Sequence, residues 1–272
     1  MIEQLRGGAK NRLPYQQIYL MLGMLIKASD RLSVYQSYSI TEDHSIVRAR
    51  HLEKAGEWFQ SIEDLGPLQP GKTLKYGRCH RPGRSVAYCS LHEGIALTEI
   101  RAELGQQYVL STFSMPTGSV VLPVGELDYF RRTGETYLGE ALERSKENYK
   151  KILDRDDWTL IALLDAFLAD EFITPAQTDV DYKITSAVAE VMFHGGLQFE
   201  GPIDAIIYPS VAFRAGTNFA VKSSSFHPSK VRLVESETKI IEVTKALGYG
   251  IHEYRVLTRL KSVKDDGRLE WF

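Results

Sequence analysis

Between Glu135 and Gly196 the chain offers three helical segments in succession: "ETYLGEALERSKENYKKILDR", "WTLIALLDAFLADEF" and "DYKITSAVAEVMFHGG", the last with a Gly-Gly stop beside His194. β-rich runs flank them. Upstream stand a strand ending near Arg48 and Arg50, then "SVAYCS", "QYVLSTFSM" and "SVVLPV"; downstream stand "DAIIYPS", "NFAVK", "KVRLVESETKIIEVTKAL" and "IHEYRVLTRLKSV". A doubly wound sheet needs strands and helices to alternate. Helices gathered between strand-rich ends predict an α+β domain instead. A further helix is expected over Tyr15–Ser29, another over "LHEGIALTEIRAEL", and a loop over "DLGPLQPGK" with its two prolines and two glycines.

At 272 residues the chain is long enough to bury a core without crosslinks, and Cys79 and Cys89 are too few for a disulfide scaffold. Its 33 basic and 35 acidic residues are mixed along the chain, which argues against general affinity for nucleic acid or an anionic membrane. The longest apolar run, Ile18–Ile26, is far short of the roughly 20 residues that cross a bilayer. It also lacks the flanks of a signal peptide, so a cytoplasmic protein with a partly buried first helix is expected.

Five cations, Lys72, Lys75, Arg78, Arg81 and Arg84, occur without one acidic residue between them. Gly77 and Gly83 let backbone approach a ligand, and the arginine fork suits phosphate oxygens. The plain alternative is a solvated loop paired with acids elsewhere. In the following helix Glu99 lies at the border of an apolar face made by Ala96, Leu97, Ile100 and Leu104, whereas Glu93 and Glu103 read as exposed. A half-buried carboxylate facing a cationic loop can stabilise positive charge developing in a transition state. Its ordinary alternative is a surface acid paired with Arg101 or Arg84.

Tyr88 reads either as a ligand platform or as a core tyrosine. Ser210 and, a little beyond it, Asn218 follow an apolar strand, where site residues often sit. "YPSVA" is no Gly-x-Ser-x-Gly elbow, so a nucleophilic serine is unsupported. Cys79, His80, Cys89 and His92 are metal-ligand types without the spacing of a zinc knuckle, and no metal is expected. His44, His51, His194, His227 and His252 are scattered and read as structural. No Walker loop or Rossmann fingerprint occurs.

Arg48 in "VRAR", then "GRCHRPGRSVAYCS", "ALTEIR" and "YPSVAFRAGTN" occur together in that order. Together they resemble the RES-domain family, whose pattern is a Gly-Arg turn, a strand with Tyr, a helix with Ala-Leu-x-Glu and a late Tyr-Pro-Ser strand. The match runs from about Ile46 to Lys222. It departs at Cys79-His80, where the family usually has an aromatic residue and Asn, and in the length of the chain.

The resemblance implies an ADP-ribosyltransferase-like mixed β core over residues 41–272, with an N-terminal helical extension over 1–40 and inserted central helices. It implies a toxin that consumes NAD+, with Arg78, Tyr88, Glu99 and Ser210 as catalytic residues and Arg48, Arg78, Tyr88 and Asn218 on the substrate. Arg48 and Arg78 would take the diphosphate. Glu99 would stabilise the oxocarbenium-like ribose, Tyr88 would contact that ribose, and Ser210 would position a ribose hydroxyl or Glu99 itself. ADP-ribose would pass to water or phosphate, or alternatively to a protein; a binding-only module is the third reading. No cofactor is expected beyond NAD+ as substrate. The partners expected are a cognate antitoxin or immunity protein and, in a homodimer, a second copy of the chain.

Overall fold

The computed structural model describes residues 1–6, 12–30, 37–195, 202–213 and 216–272. Its centre is one mixed sheet of eleven strands: β1 (Tyr38–Ser39), β2 (His44–His51), β3 (Val86–Ser90), β4 (Gln107–Met115), β5 (Val120–Pro123), β6 (Ala205–Pro209), β7 (Thr217–Lys222), β8 (Arg232–Leu233), β9 (Lys239–Gly248), β10 (Ile251–Val263) and β11 (Leu269–Trp271). They lie in the order β1-β5-β6-β7-β3-β2-β4-β9-β10-β11, with β8 on β4. The helices are α1 (Ile2–Arg6), α2 (Tyr15–Asp30), α3 (Glu93–Glu99), α4 (Glu126–Thr133), α5 (Glu143–Leu153), α6 (Trp158–Ile173) and α7 (Lys183–His194). The domain is α+β, as its segment order predicts.

Every neighbouring pair is antiparallel except β5 and β6. A parallel pair cannot be closed by a hairpin and needs a long crossover. The central helices, α4 to α7, are that crossover. The N-terminal segment joins the same body: α2 buries Ile18, Leu22 and Ile26 against α7 and α6, and the residues after it form β1 on β5.

Side chains alternate across a strand, and here the alternation sorts the core. One face buries Ile46, Val109, Phe113, Phe219, Val221 and Ile240 in a single cluster. The other face carries two. Leu122, Ile206 and Ala220 pack under α2, α6 and α7, while Val47, Ala49, Leu110 and Ile241 pack under α3. The seam between these two clusters is the position of the site.

Several boundaries differ from expectation. α3 stops at Glu99, because Arg101 takes a positive φ of 54° and its N–H turns back to Thr98, with Ala102 bonding Leu97. Its buried face is therefore Ile95, Ala96 and Leu97; Leu104 is 67% exposed and Ile100 39%. The Glu135–Arg155 segment becomes helical only at Glu143, after a short 3-10 turn over Gly139–Leu142, and α4 was not foreseen at all. Its N-terminal amides at Gly125 and Asp128 are held by the buried Asp165 carboxylate at 3.0 and 2.9 Å. The run "KVRLVESETKIIEVTKAL" is broken at Glu235–Glu237. Gly195 caps α7 through Val191, whereas Gly196 lies outside the described residues. Among the described residues no helix is long and apolar enough to cross a membrane.

Candidate active site

β2 pairs with β4 at eight positions but with β3 at one, Val47 opposite Ser90. Beside that point the strands are joined by a side chain, as Arg48 Nη1 donates to the Tyr88 carbonyl at 3.1 Å. A pocket of about 330 Å³ opens there, and Arg48, Ala49, Tyr88, Ala96, Glu99 and Tyr208 are among the residues that line it. Arg48 Nε is buried and has no hydrogen-bond partner among the described residues. Desolvation lowers the guanidinium pKa to about 10, so the group remains charged at neutral pH.

Glu99, the last residue of α3, is fixed through one oxygen. Its Oε1 accepts from Ser210 Oγ at 2.5 Å and from Asn218 Nδ2 at 2.6 Å. No further hydrogen bond reaches Glu99 among the described residues, which leaves Oε2 to the pocket. Asn218 arrives through register, standing opposite Ser90 of β3 and Tyr208 of β6. Ser210 follows β6 in a tight turn and accepts from the amides of Ala212 and Phe213 at 3.2 and 3.0 Å. It stands behind Glu99 and does not line the pocket. Arg214 and Ala215, inside the "YPSVAFRAGTN" motif, lie outside the described residues.

α3 is held at its other end by the β9–β10 hairpin. Glu93 pairs with Lys239 at 2.7 Å and accepts from the Tyr254 hydroxyl, so it is not the free surface acid its sequence position suggests. A side chain at Gly94 would meet the Gly250 carbonyl at 2.4 Å, which fixes how closely hairpin and helix approach. Glu103 is exposed, as read. The pairing of Glu99 with Arg101 or Arg84 does not occur.

The Gly-Arg turn is closed by reciprocal backbone bonds between Gly77 and His80. Tyr88 holds it: the hydroxyl accepts from the Cys79 amide at 2.8 Å and lies 2.9 Å from His80 Nδ1. Burial raises the Tyr88 hydroxyl well above the usual tyrosine range and lowers the His80 imidazole. A Cβ at Gly77 would stand 2.2 Å from the His80 ring and 2.8 Å from the Tyr88 oxygen, so a larger residue would have to displace the two side chains that hold the turn. The turn aims Arg78 at the C-terminus of α6, where it donates to the carbonyls of Phe172 at 2.5 Å, Thr174 at 3.3 Å and Glu171 at 3.4 Å. Its guanidinium also lies 5.1 Å from the Tyr182 ring centre.

Arg48, Arg78, Tyr88, Glu99 and Asn218 thus line one pocket. The other four members of the five-cation cluster do not converge with them. Arg81 and Arg84 both pair with Glu190, at 3.4 and 3.6 Å, and Lys72 and Lys75 are exposed. For those residues the solvated-loop reading describes what is seen. Cys79 and Cys89 are buried in different clusters, on opposite faces of the sheet. Among the described residues no group of three His, Cys, Asp or Glu could hold a metal ion. Three polar lining residues, Ser90, Tyr182 and Tyr208, carry no individual role in the sequence reading. Alternation alone gives Ser90, two residues beyond Tyr88; nothing local marks Tyr182.

The sequence profile of the RES domain matches residues 46–242, well over half of the chain. The chain belongs to the RES-domain family. No curated protein and no solved structure matches it. The matched RES region contains all six residues, Arg48, Arg78, Tyr88, Glu99, Ser210 and Asn218, that come together around the pocket. At the divergent Cys79-His80 pair, His80 makes the tyrosine contact that shapes the turn.

Proposed function

We propose that this RES domain binds NAD+ in the seam pocket and cleaves its bond between nicotinamide and ribose, passing ADP-ribose to water or inorganic phosphate. The family is associated with toxins that act on NAD+. The observation that carries the reading to this chain is the Glu99 carboxylate, tied down through Oε1 with Oε2 left to the pocket. A carboxylate in that state is preorganised to meet positive charge.

On this reading the C1′–N1 bond breaks with its electron pair leaving on nicotinamide, which departs neutral and needs no strong acid. Glu99 Oε2 faces the cationic ribose that remains. The same oxygen then orients water, or a hydroxyl of phosphate, and accepts the proton released as the new C1′–O bond forms. Arg48, which lines the pocket, offers its charge to the diphosphate. Arg78 faces the pocket while its main duty is to the end of α6, so it sets the wall and adds charge at longer range. Ser210 acts on Glu99 rather than on the ligand. A toxin acting on NAD+ in its own cell requires a restraining partner, and a protein that covers the seam would supply that restraint.

The test is incubation of purified protein with NAD+, with and without phosphate, while nicotinamide and ADP-ribose products are followed beside Glu99→Gln. Nicotinamide release that the variant loses is the expected result, and its dependence on phosphate names the acceptor. Equal release by both proteins overturns the role of Glu99; release by neither overturns the reaction.

A further inference from the structure

The Glu99 carboxylate can only accept, so it takes the NH2 of Asn218, and how firmly that amide is held depends on the partner of its oxygen on the far side. That partner is Ser90. Its Oγ donates to Asn218 Oδ1 at 2.6 Å, in a pair where each residue is 3% exposed. The β3–β7 register sets the two residues opposite one another, 128 positions apart in the chain. A serine hydroxyl has one proton. With that proton spent on Oδ1, the amide oxygen is held toward β3 and the NH2 is presented to Glu99 Oε1 at 2.6 Å.

The other side of the carboxylate repeats this logic. The amides of Ala212 and Phe213 occupy the lone pairs of Ser210 Oγ, so its proton is left for Glu99. Two donors whose directions are already fixed therefore meet on Oε1. We propose that Ser90 is a positioning residue for Glu99, acting through the orientation of the Asn218 side-chain amide. Only the activity part of this proposal rests on the NAD+ reading; the orientation of the amide does not.

The experiment has two arms. In 1H–15N spectra the Asn218 side-chain NH2, identified by its absence in Asn218→Ala, is expected to show one downfield, slowly exchanging proton. Ser90→Ala is expected to lose that signature and Ser90→Thr, which keeps a hydroxyl, to restore it; should the threonine not fold, Ser90→Cys, a weaker donor, gives an intermediate shift. In kinetics with NAD+, Ser90→Ala is expected to lower kcat about tenfold with KM within about twofold, the scale typical of residues that orient a site group from behind. An Asn218 amide signal unchanged in Ser90→Ala overturns the proposal, and so does a raised KM with kcat intact, which would put Ser90 on the ligand. If the native protein releases no nicotinamide, the NAD+ reading fails while the spectra still decide the role of Ser90.

Discussion

Arg48 Nη1 donates to the carbonyl of Tyr88 at 3.1 Å, across two strands paired at a single position. A continued ladder would satisfy that carbonyl with a backbone amide and close the sheet. The side chain takes the place of the missing ladder bond, so the sheet stays joined while a pocket opens in it. The same arginine joins the strands and lines the pocket, where on the proposed reading its charge meets the diphosphate.

Arg48→Lys separates the two. Lysine has one nitrogen, which cannot satisfy the Tyr88 carbonyl and also reach a ligand in the geometry of a planar fork. Loss of a charge-assisted contact is worth roughly 1.5–3 kcal/mol, so KM for NAD+ is expected to rise about tenfold or more, with kcat less affected. Nicotinamide-release kinetics across NAD+ concentration check this. A lysine variant with native KM would remove Arg48 from substrate binding.

Glu99→Gln should behave in the opposite way. An amide keeps the size of the group and removes its charge, so a negatively charged substrate binds as well or better. Turnover is expected to fall by roughly 10²-fold or more, the scale for losing one preorganised electrostatic group. Calorimetric titration with NAD+ together with turnover gives both numbers; weaker binding with preserved turnover would contradict the assignment.

How far the site was readable from the chain follows from what each residue depends on. Helical spacing marked Glu99 only as a candidate at an apolar border, with a surface acid as the alternative, and the RES resemblance chose between the two. Arg78, Tyr88 and Ser210 were legible because each sits in a short local motif. Asn218 was read as a substrate contact, and nothing local could have shown that it serves Glu99, since that bond joins residues 119 apart. The helix end at Glu99 was missed because "EIRAEL" keeps helical spacing past the point where Arg101 turns left-handed. Glu93 was misread because its partners, Lys239 and Tyr254, come from a distant hairpin. The α+β class was legible from segment order, but the fact that the central helices form one crossover depends on β5 and β6 being parallel.

Arg78 should matter to stability as well as to activity. Its bonds to Phe172 and Thr174 satisfy carbonyls at the end of α6, where a cation also complements the helix dipole. Arg78→Ala is expected to cost roughly 1.5–3 kcal/mol, or about 3–5 °C in Tm for a chain of this size. Thermal unfolding followed by far-UV circular dichroism tests it. A native Tm in an inactive variant would mean that Arg78 serves the ligand alone.

The last prediction concerns pH and lies away from the pocket. Glu126, fully buried at the start of α4, accepts from the Tyr137 amide at 2.7 Å and the Tyr149 hydroxyl at 2.9 Å. Desolvation outweighs those bonds and raises its pKa from 4.5 to about 7. Between these values the unfolded chain has lost the proton that the native protein still holds. Stability therefore falls as pH rises through this window, by about 3 kcal/mol in all, and levels off above pH 7. Glu126→Gln imitates the protonated acid, its oxygen taking the Tyr137 amide and its NH2 facing the Tyr149 oxygen. Urea unfolding at pH 5, 6, 7 and 8 should show the native protein losing stability relative to this variant as pH rises. Parallel curves for the two proteins would show that Glu126 is ionised throughout the range in the folded state.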